Sequence, residues 1–248
     1  MKTVNKSSFS LSELKTKLKV YIVKKIQEFT EKRISYLLKN KIKTDYQPNQ
    51  YKYFNNLSEI KLWCKVFDVY FEKTSKEYYN NLISAEKVTT SQDALQLYAG
   101  YVAECINRHL RNREKLVLDF TFNKEIEVIS KEINKNTIED NIVVLRLIHT
   151  RFLSKNIKKG MILKDKAFLS TTLNLNHRKN SEGEDLRITN VGLIFIKIPK
   201  GAKALYLEGI SKKEEFEILL PQNTELLVEA AHKIFSNSVL FTKVVNHG

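Results

Sequence analysis

The hydrophobic period changes once along this chain, and that change limits what it can fold into. Up to about residue 135, apolar residues recur at helical spacing. Leu11, Leu14, Leu18, Ile22, Ile26 and Phe29 follow it with lysines between them, which predicts a long helix, or two, over 10–39. Ser10-Leu11-Ser12-Glu13 supplies a capping box at its start. Trp63, Phe67, Tyr70 and Phe71 predict helix within 57–84. Ala94, Tyr98, Tyr101, Val102, Cys105 and His109 line a third helical face, and Phe122, Ile126, Ile129 and Ile133 a fourth. From residue 142 the pattern becomes short β-branched or aromatic runs: 142–148, 168–173, 193–198, 204–207, 215–220, 225–229 and 238–245. Helices first and strands last predict an α+β fold, with N-terminal helices followed by a mixed or antiparallel two-sheet β core, not a doubly wound sheet.

The polar stretch 44–56 around Pro48 divides the chain into a basic helical extension, 1–56, and a second domain, 57–248, with a helical part over 57–135 and a β core over 141–248. The extension has thirteen Lys or Arg against four Asp or Glu, a net of +9 within the +14 of the whole chain. Such a segment suits an acidic partner: nucleic acid, an anionic membrane or an acidic, antitoxin-like protein. A lysine-rich genome would produce the same charge with no partner at all. Cys64 and Cys105 read as two buried thiols of a reducing compartment, with one disulfide as the alternative. The five histidines are scattered and there is no CxxC, so no metal-ligand spacing exists. Neither a signal-peptide core nor a window of membrane-span length is present, so the expectation is a cytoplasmic chain as written; a secreted or injected toxin without its signal would look the same.

Three features break the strand pattern. Arg146 lies inside Ile142–Ile148, where a guanidinium is costly unless it is paired or the strand is an exposed edge. Paired, it is an anion clamp, since its rigid donor fork grips phosphates. Ser170-Thr171-Thr172 places hydroxyls in the next strand. Glu215-Phe216-Glu217 opens a later one, and an extended strand would put both carboxylates on one face. Each feature alone is compatible with a solvated strand or strand end.

Together, and in this order, the three resemble the Arg–Ser–Glu class of mono-ADP-ribosyltransferases, the group that includes Rho-modifying and actin-modifying bacterial toxins. Ala167–Leu173 is similar to the family's Phe-x-Ser-Thr-Ser strand. Pro199–Ala204 is similar to its strand-joining turn, Glu217–Pro221 to its last motif, and Tyr98–Arg111 to the helix ending Ile-Asn-x-x-Leu-Arg. The resemblance covers about 90–248. Leu145 stands where an aromatic often precedes the Arg, Thr172 replaces the last Ser, and 208–213 lacks the aromatic found in many toxin members.

The resemblance implies cleavage of the nicotinamide–ribose bond of NAD, bound as substrate without a metal, and transfer of ADP-ribose. It implies Arg146 on the diphosphate, Ser170, Thr171 and Thr172 lining the NAD site, Glu217 at the ribose, and Glu215 toward the acceptor. Arg178 or Arg187 could add a phosphate contact. Glu at position 215 goes with arginine acceptors in the family, which slightly favours protein arginine. RNA or DNA as acceptor is the alternative, and a basic nucleic-acid-binding module without catalysis a second one.

Overall fold

The computed structural model describes residues 11–44, 51–54, 56–64, 91–112, 122–177, 190–207, 210 and 215–245. The capping box at Ser10, the whole 65–90 stretch, Arg178 and Arg187, and nearly all of 208–213 lie outside them. The chain forms two compact units, Met1–Gln47 and Pro48–Gly248. The first contains one helix, α1 (Leu11–Thr44). On it Leu14, Leu18, Ile22 and Phe29, which helical spacing aligns as an apolar stripe to be buried, are all exposed. No helix among the described residues is long and apolar enough to cross a membrane.

The second unit begins with 51–54. Lys52 N donates to Asn141 O at 2.6 Å and Lys52 O accepts from Val143 N at 2.8 Å. Lys52, within the stretch that composition places in the extension, thus pairs its backbone with Asn141 and Val143. Helix α2 follows at 57–64, with Ile60 and Cys64 in the core. Then come α3 (Ser91–Leu97), a π-helical turn (Tyr98–Val102), α4 (Ala103–Asn112) and α5 (Asn123–Lys135). The expected stripe of α5 is buried at Ile126, Ile129 and Ile133. Cys64 is buried but Cys105 is exposed, and the two are not joined in a disulfide. The expectation of two buried thiols fails at Cys105 because that side of α4 faces solvent.

Eight strands follow among the described residues: β1 (Ile142–His149), β2 (Ile162–Lys164), β3 (Leu169–Thr172), β4 (Val191–Ile198), β5 (Leu205–Tyr206), β6 (Glu217–Leu220), β7 (Glu225–Ile234) and β8 (Asn237–Val244). They are ordered β2-β7-β8-β4-β1-β3-β6-β5. All neighbours are antiparallel except β4 and β8. The fold is α+β with a mixed sheet. Hydrogen bonding is continuous but narrows to one register pair, Leu145↔Thr172, between β1 and β3. A five-strand part and a three-strand part meet at that pair. Strand β2 escapes the pattern because three residues, Ile162-Leu163-Lys164, are too short to carry a period.

Gly192 lets β4 run close to its neighbours. A Cβ there would lie 2.5 Å from Leu153 Cδ1 and 2.9 Å from Ile148 Cγ2. Gly192→Ala is expected to destabilise the protein by about 1–3 kcal/mol, the usual cost of overpacking. Urea unfolding checks it, and an unchanged midpoint would show that β4 has room to move.

Candidate active site

The narrow junction of the sheet also gathers its polar residues. Leu145, Thr172 and Glu217 form one row across β1, β3 and β6. Arg146 and Ser170 lie one and two residues from that row.

Arg146 is on a central strand, between β4 and β3, and its side chain is 13% exposed. The edge-strand explanation for it is therefore wrong. Its Nη1 donates to Ser170 O at 3.1 Å and its Nη2 to Asp165 Oδ2 at 3.5 Å. Burial disfavours its charge and pushes its pKa down, while the carboxylates of Asp165 and Glu217 oppose that shift.

Asp165 follows β2 and is itself well bound. Arg111 Nε and Nη2 donate to its two oxygens at 2.9 and 2.7 Å, and Ala167 N donates to Oδ1 at 3.0 Å. Burial alone would raise the Asp165 pKa. The hydrogen bonds from Arg111 and Ala167 N and the charges of Arg111 and Arg146 outweigh it and hold the carboxyl below its usual range.

Ser170 is tied to the helical layer. Asn107 Nδ2 donates to Tyr98 Oη at 2.8 Å, and Tyr98 Oη lies 3.1 Å from Ser170 Oγ. Nine residues of straight helix would separate Tyr98 and Asn107 by roughly 13.5 Å along the axis, half a turn out of phase. The π-helical turn, with Gly100 at φ −87° and ψ −130°, breaks the helix and lets the two side chains meet. Burial, and after it the charge of Glu217, push the Tyr98 phenol up to about 12. The phenol is thus neutral at physiological pH. Its oxygen accepts from Asn107, so its single hydrogen is available to Ser170.

Thr171 and Thr172 fix the neighbouring strand. Thr171 Oγ1 donates to Ile218 O at 2.7 Å and Thr172 Oγ1 to Glu215 O at 2.5 Å. Strand β6 starts only at Glu217, because Phe216 takes a left-handed conformation, φ +50°. The extended alternation expected over 215–220 therefore fails at Phe216, which a buried ring anchors. Glu217 is buried, 8% exposed, whereas Glu215 is half-buried. The two carboxylates occupy distinct environments on either side of one strained residue.

The structure thus brings Arg146, Ser170, Thr171, Thr172, Glu215 and Glu217 into one neighbourhood. Sequence reasoning gave no role to Tyr98, Asn107, Arg111 or Asp165. Tyr98 looked like one more member of an apolar stripe. The available signals were the helix Tyr98–Arg111 that carries part of the resemblance, Gly100 inside it, and a carboxylate, Asp165, shortly before the strand at 168–173.

The family model described as ADP-ribosyltransferase exoenzyme matches residues 68–244. This chain belongs to the ADP-ribosyltransferase exoenzyme family. It is an NAD-dependent mono-ADP-ribosyltransferase of a toxin family, and NAD is its substrate. The reading as a binding module without catalysis is set aside. The C3 exoenzyme of Clostridium limosum shares the fold, with a TM-score of 0.60, 20% identity, and 79% of this chain and 98% of that one covered. C3stau2 from S. aureus, solved with NAD, gives 0.55, 19%, 79% and 99%. The toxin BECa of C. perfringens, solved with NADH, gives 0.57, 15%, 79% and 50%. No sequence relative is found among curated proteins.

The depressed pKa of Asp165 carries a pH dependence of stability. A carboxyl depressed in the folded state stabilises it fully above the unfolded value, near 3.9, and loses that contribution as pH falls through the folded value. The stability advantage of wild type over Asp165→Asn is expected to be constant from about pH 5 to 8 and to shrink below about pH 4. Urea midpoints across pH check it, and an advantage unchanged at pH 3 would show that the ion pairs contribute nothing.

Proposed function

We propose that this transferase modifies arginine side chains of a protein, with Glu217 at the ribose of NAD and Glu215 at the acceptor. The observation that carries the reading is the Glu215-Phe216-Glu217 turn. One carboxylate is buried in the row of Thr172 and the other is half-exposed across a left-handed residue. Arg146 holds the diphosphate and Ser170 the nicotinamide ribose.

The chemistry follows from these positions. The nicotinamide–ribose bond breaks with its electron pair going to nicotinamide, and the ribose carbon gains oxocarbenium character. A buried carboxylate beside that centre stabilises the developing positive charge and can accept a hydrogen bond from the ribose 2′-hydroxyl. Glu217 supplies it. Tyr98 donating to Ser170 leaves the serine hydrogen free for that carboxylate or the ribose. The acceptor nitrogen then forms the new bond to the ribose carbon, and Glu215 takes its proton.

A nucleic-acid acceptor is the second reading, and the +9 charge of residues 1–56 supports it. Labelled NAD incubated with the protein and a cell lysate separates the two: label in protein, mapped to arginine by mass spectrometry, supports the first. Label in RNA or DNA supports the second and overturns the first.

The two carboxylates are expected to fail differently. Glu217→Gln is nearly isosteric and should lower both transfer and NAD hydrolysis by about 10²–10³-fold with little change in the unfolding curve. Glu215→Gln should lower transfer at least tenfold more than hydrolysis. Equal losses in the second variant, or hydrolysis within threefold of wild type in the first, would refute the division of labour.

A further inference from the structure

Asp165 is not one of the residues assigned above to NAD or the acceptor, yet its carboxylate accepts four hydrogen bonds at the junction. It sits in the link between β2 and β3. Oδ1 accepts from Arg111 Nε at 2.9 Å and Ala167 N at 3.0 Å. Oδ2 accepts from Arg111 Nη2 at 2.7 Å and Arg146 Nη2 at 3.5 Å. Both oxygens are thus doubly occupied. The carboxylate joins the last turn of α4 to the middle of β1, and the Arg146 guanidinium continues the chain to Ser170 O on β3. Two guanidiniums thus share this one carboxylate, and the charge of Glu217 also acts on Arg146.

We propose that Asp165 is a positioning residue for NAD binding: it holds the guanidiniums of Arg111 and Arg146 in one fixed arrangement that receives the dianionic diphosphate. The proposal rests on Arg146 as the diphosphate ligand. The reason is conformational. A free arginine side chain samples many rotamers, and a ligand that must first order two of them binds more weakly. The planar fork of Arg111, held bidentately, has lost that freedom before the substrate arrives. Arg146 is fixed between Asp165 and Ser170 O. The arrangement also places a negative charge beside a site for a negative ligand, which simple charge counting would select against.

That opposition makes the idea testable, because positioning and charge predict opposite signs. Asp165→Asn keeps the size of the side chain and removes its charge. If Asp165 acts only through its charge, the site becomes more positive and KM for NAD falls. If Asp165 positions the arginines, the bidentate partner of Arg111 is lost and KM rises. NAD hydrolysis by the full chain is the assay. We expect KM at least tenfold higher with kcat within about threefold of wild type, the pattern of a lost interaction shared by ground and transition states. A KM unchanged or lowered, or a loss confined to kcat, overturns the proposal.

Asp165→Glu is the companion variant and the one that decides if Asn at this position prevents folding. It keeps the charge and moves the carboxylate by one methylene. A raised KM supports positioning; the wild-type KM overturns it. Arg146→Lys separates this proposal from the reading beneath it. If Arg146→Lys raises KM and Asp165→Asn does not, only the positioning role fails. If Arg146→Lys leaves KM unchanged, the assignment of the diphosphate to Arg146 is what fails.

Discussion

A guanidinium in the middle of a buried strand has to be compensated, and the arrangement of the cleft follows from how Arg146 is compensated. Asp165 supplies the opposing charge, and the carbonyl of Ser170 accepts a second hydrogen bond. To reach Arg146, Asp165 must sit at the exit of β2, and Arg111 at the end of α4 secures it there. One pairing requirement thus fixes the relative placement of a helix end, two strands and a connecting link. A buried ion pair of this kind is weak evidence for stability, since its desolvation cost is close to its Coulombic gain. Its presence fits the proposed work of binding an anionic substrate.

The second constraint lies in the backbone. The sheet narrows to a single pair between β1 and β3, and on the other side of β3 the hydroxyls of Thr171 and Thr172 bond the carbonyls of Ile218 and Glu215. Thr172 holds the carbonyl of Glu215, and its own register partner is Glu217. Between them Phe216 is left-handed with its ring in the core. Strain of this type costs of order 1–3 kcal/mol and persists where the surroundings over-determine it. Here it sets two like charges in unlike environments, one buried and one half-exposed.

Much of this was legible in the sequence. The switch from helical to strand period placed α5 and seven of the eight strands, and the order Arg146, Ser170, Glu217 indicated the family. What was hidden depends on long-range geometry. No local period reveals that Tyr98 turns from its stripe to meet Ser170, because that depends on the irregular turn at Gly100. Asp165 and Arg111 are 54 residues apart, and nothing in either neighbourhood announces the other. The strand alternation that put Glu215 and Glu217 on one face assumed extended backbone, which Phe216 does not adopt. The spacing of the α1 stripe marks an apolar face, on which Leu14, Leu18, Ile22 and Phe29 are exposed.

The central claim is that Arg146 binds the diphosphate of NAD. Calorimetric titration of Arg146→Lys with NAD and with nicotinamide riboside, which lacks the diphosphate, tests it most directly. The account predicts that the lysine variant binds NAD at least tenfold more weakly than wild type and binds nicotinamide riboside equally well. Unchanged affinity for NAD, or an equal loss for both ligands, would contradict it.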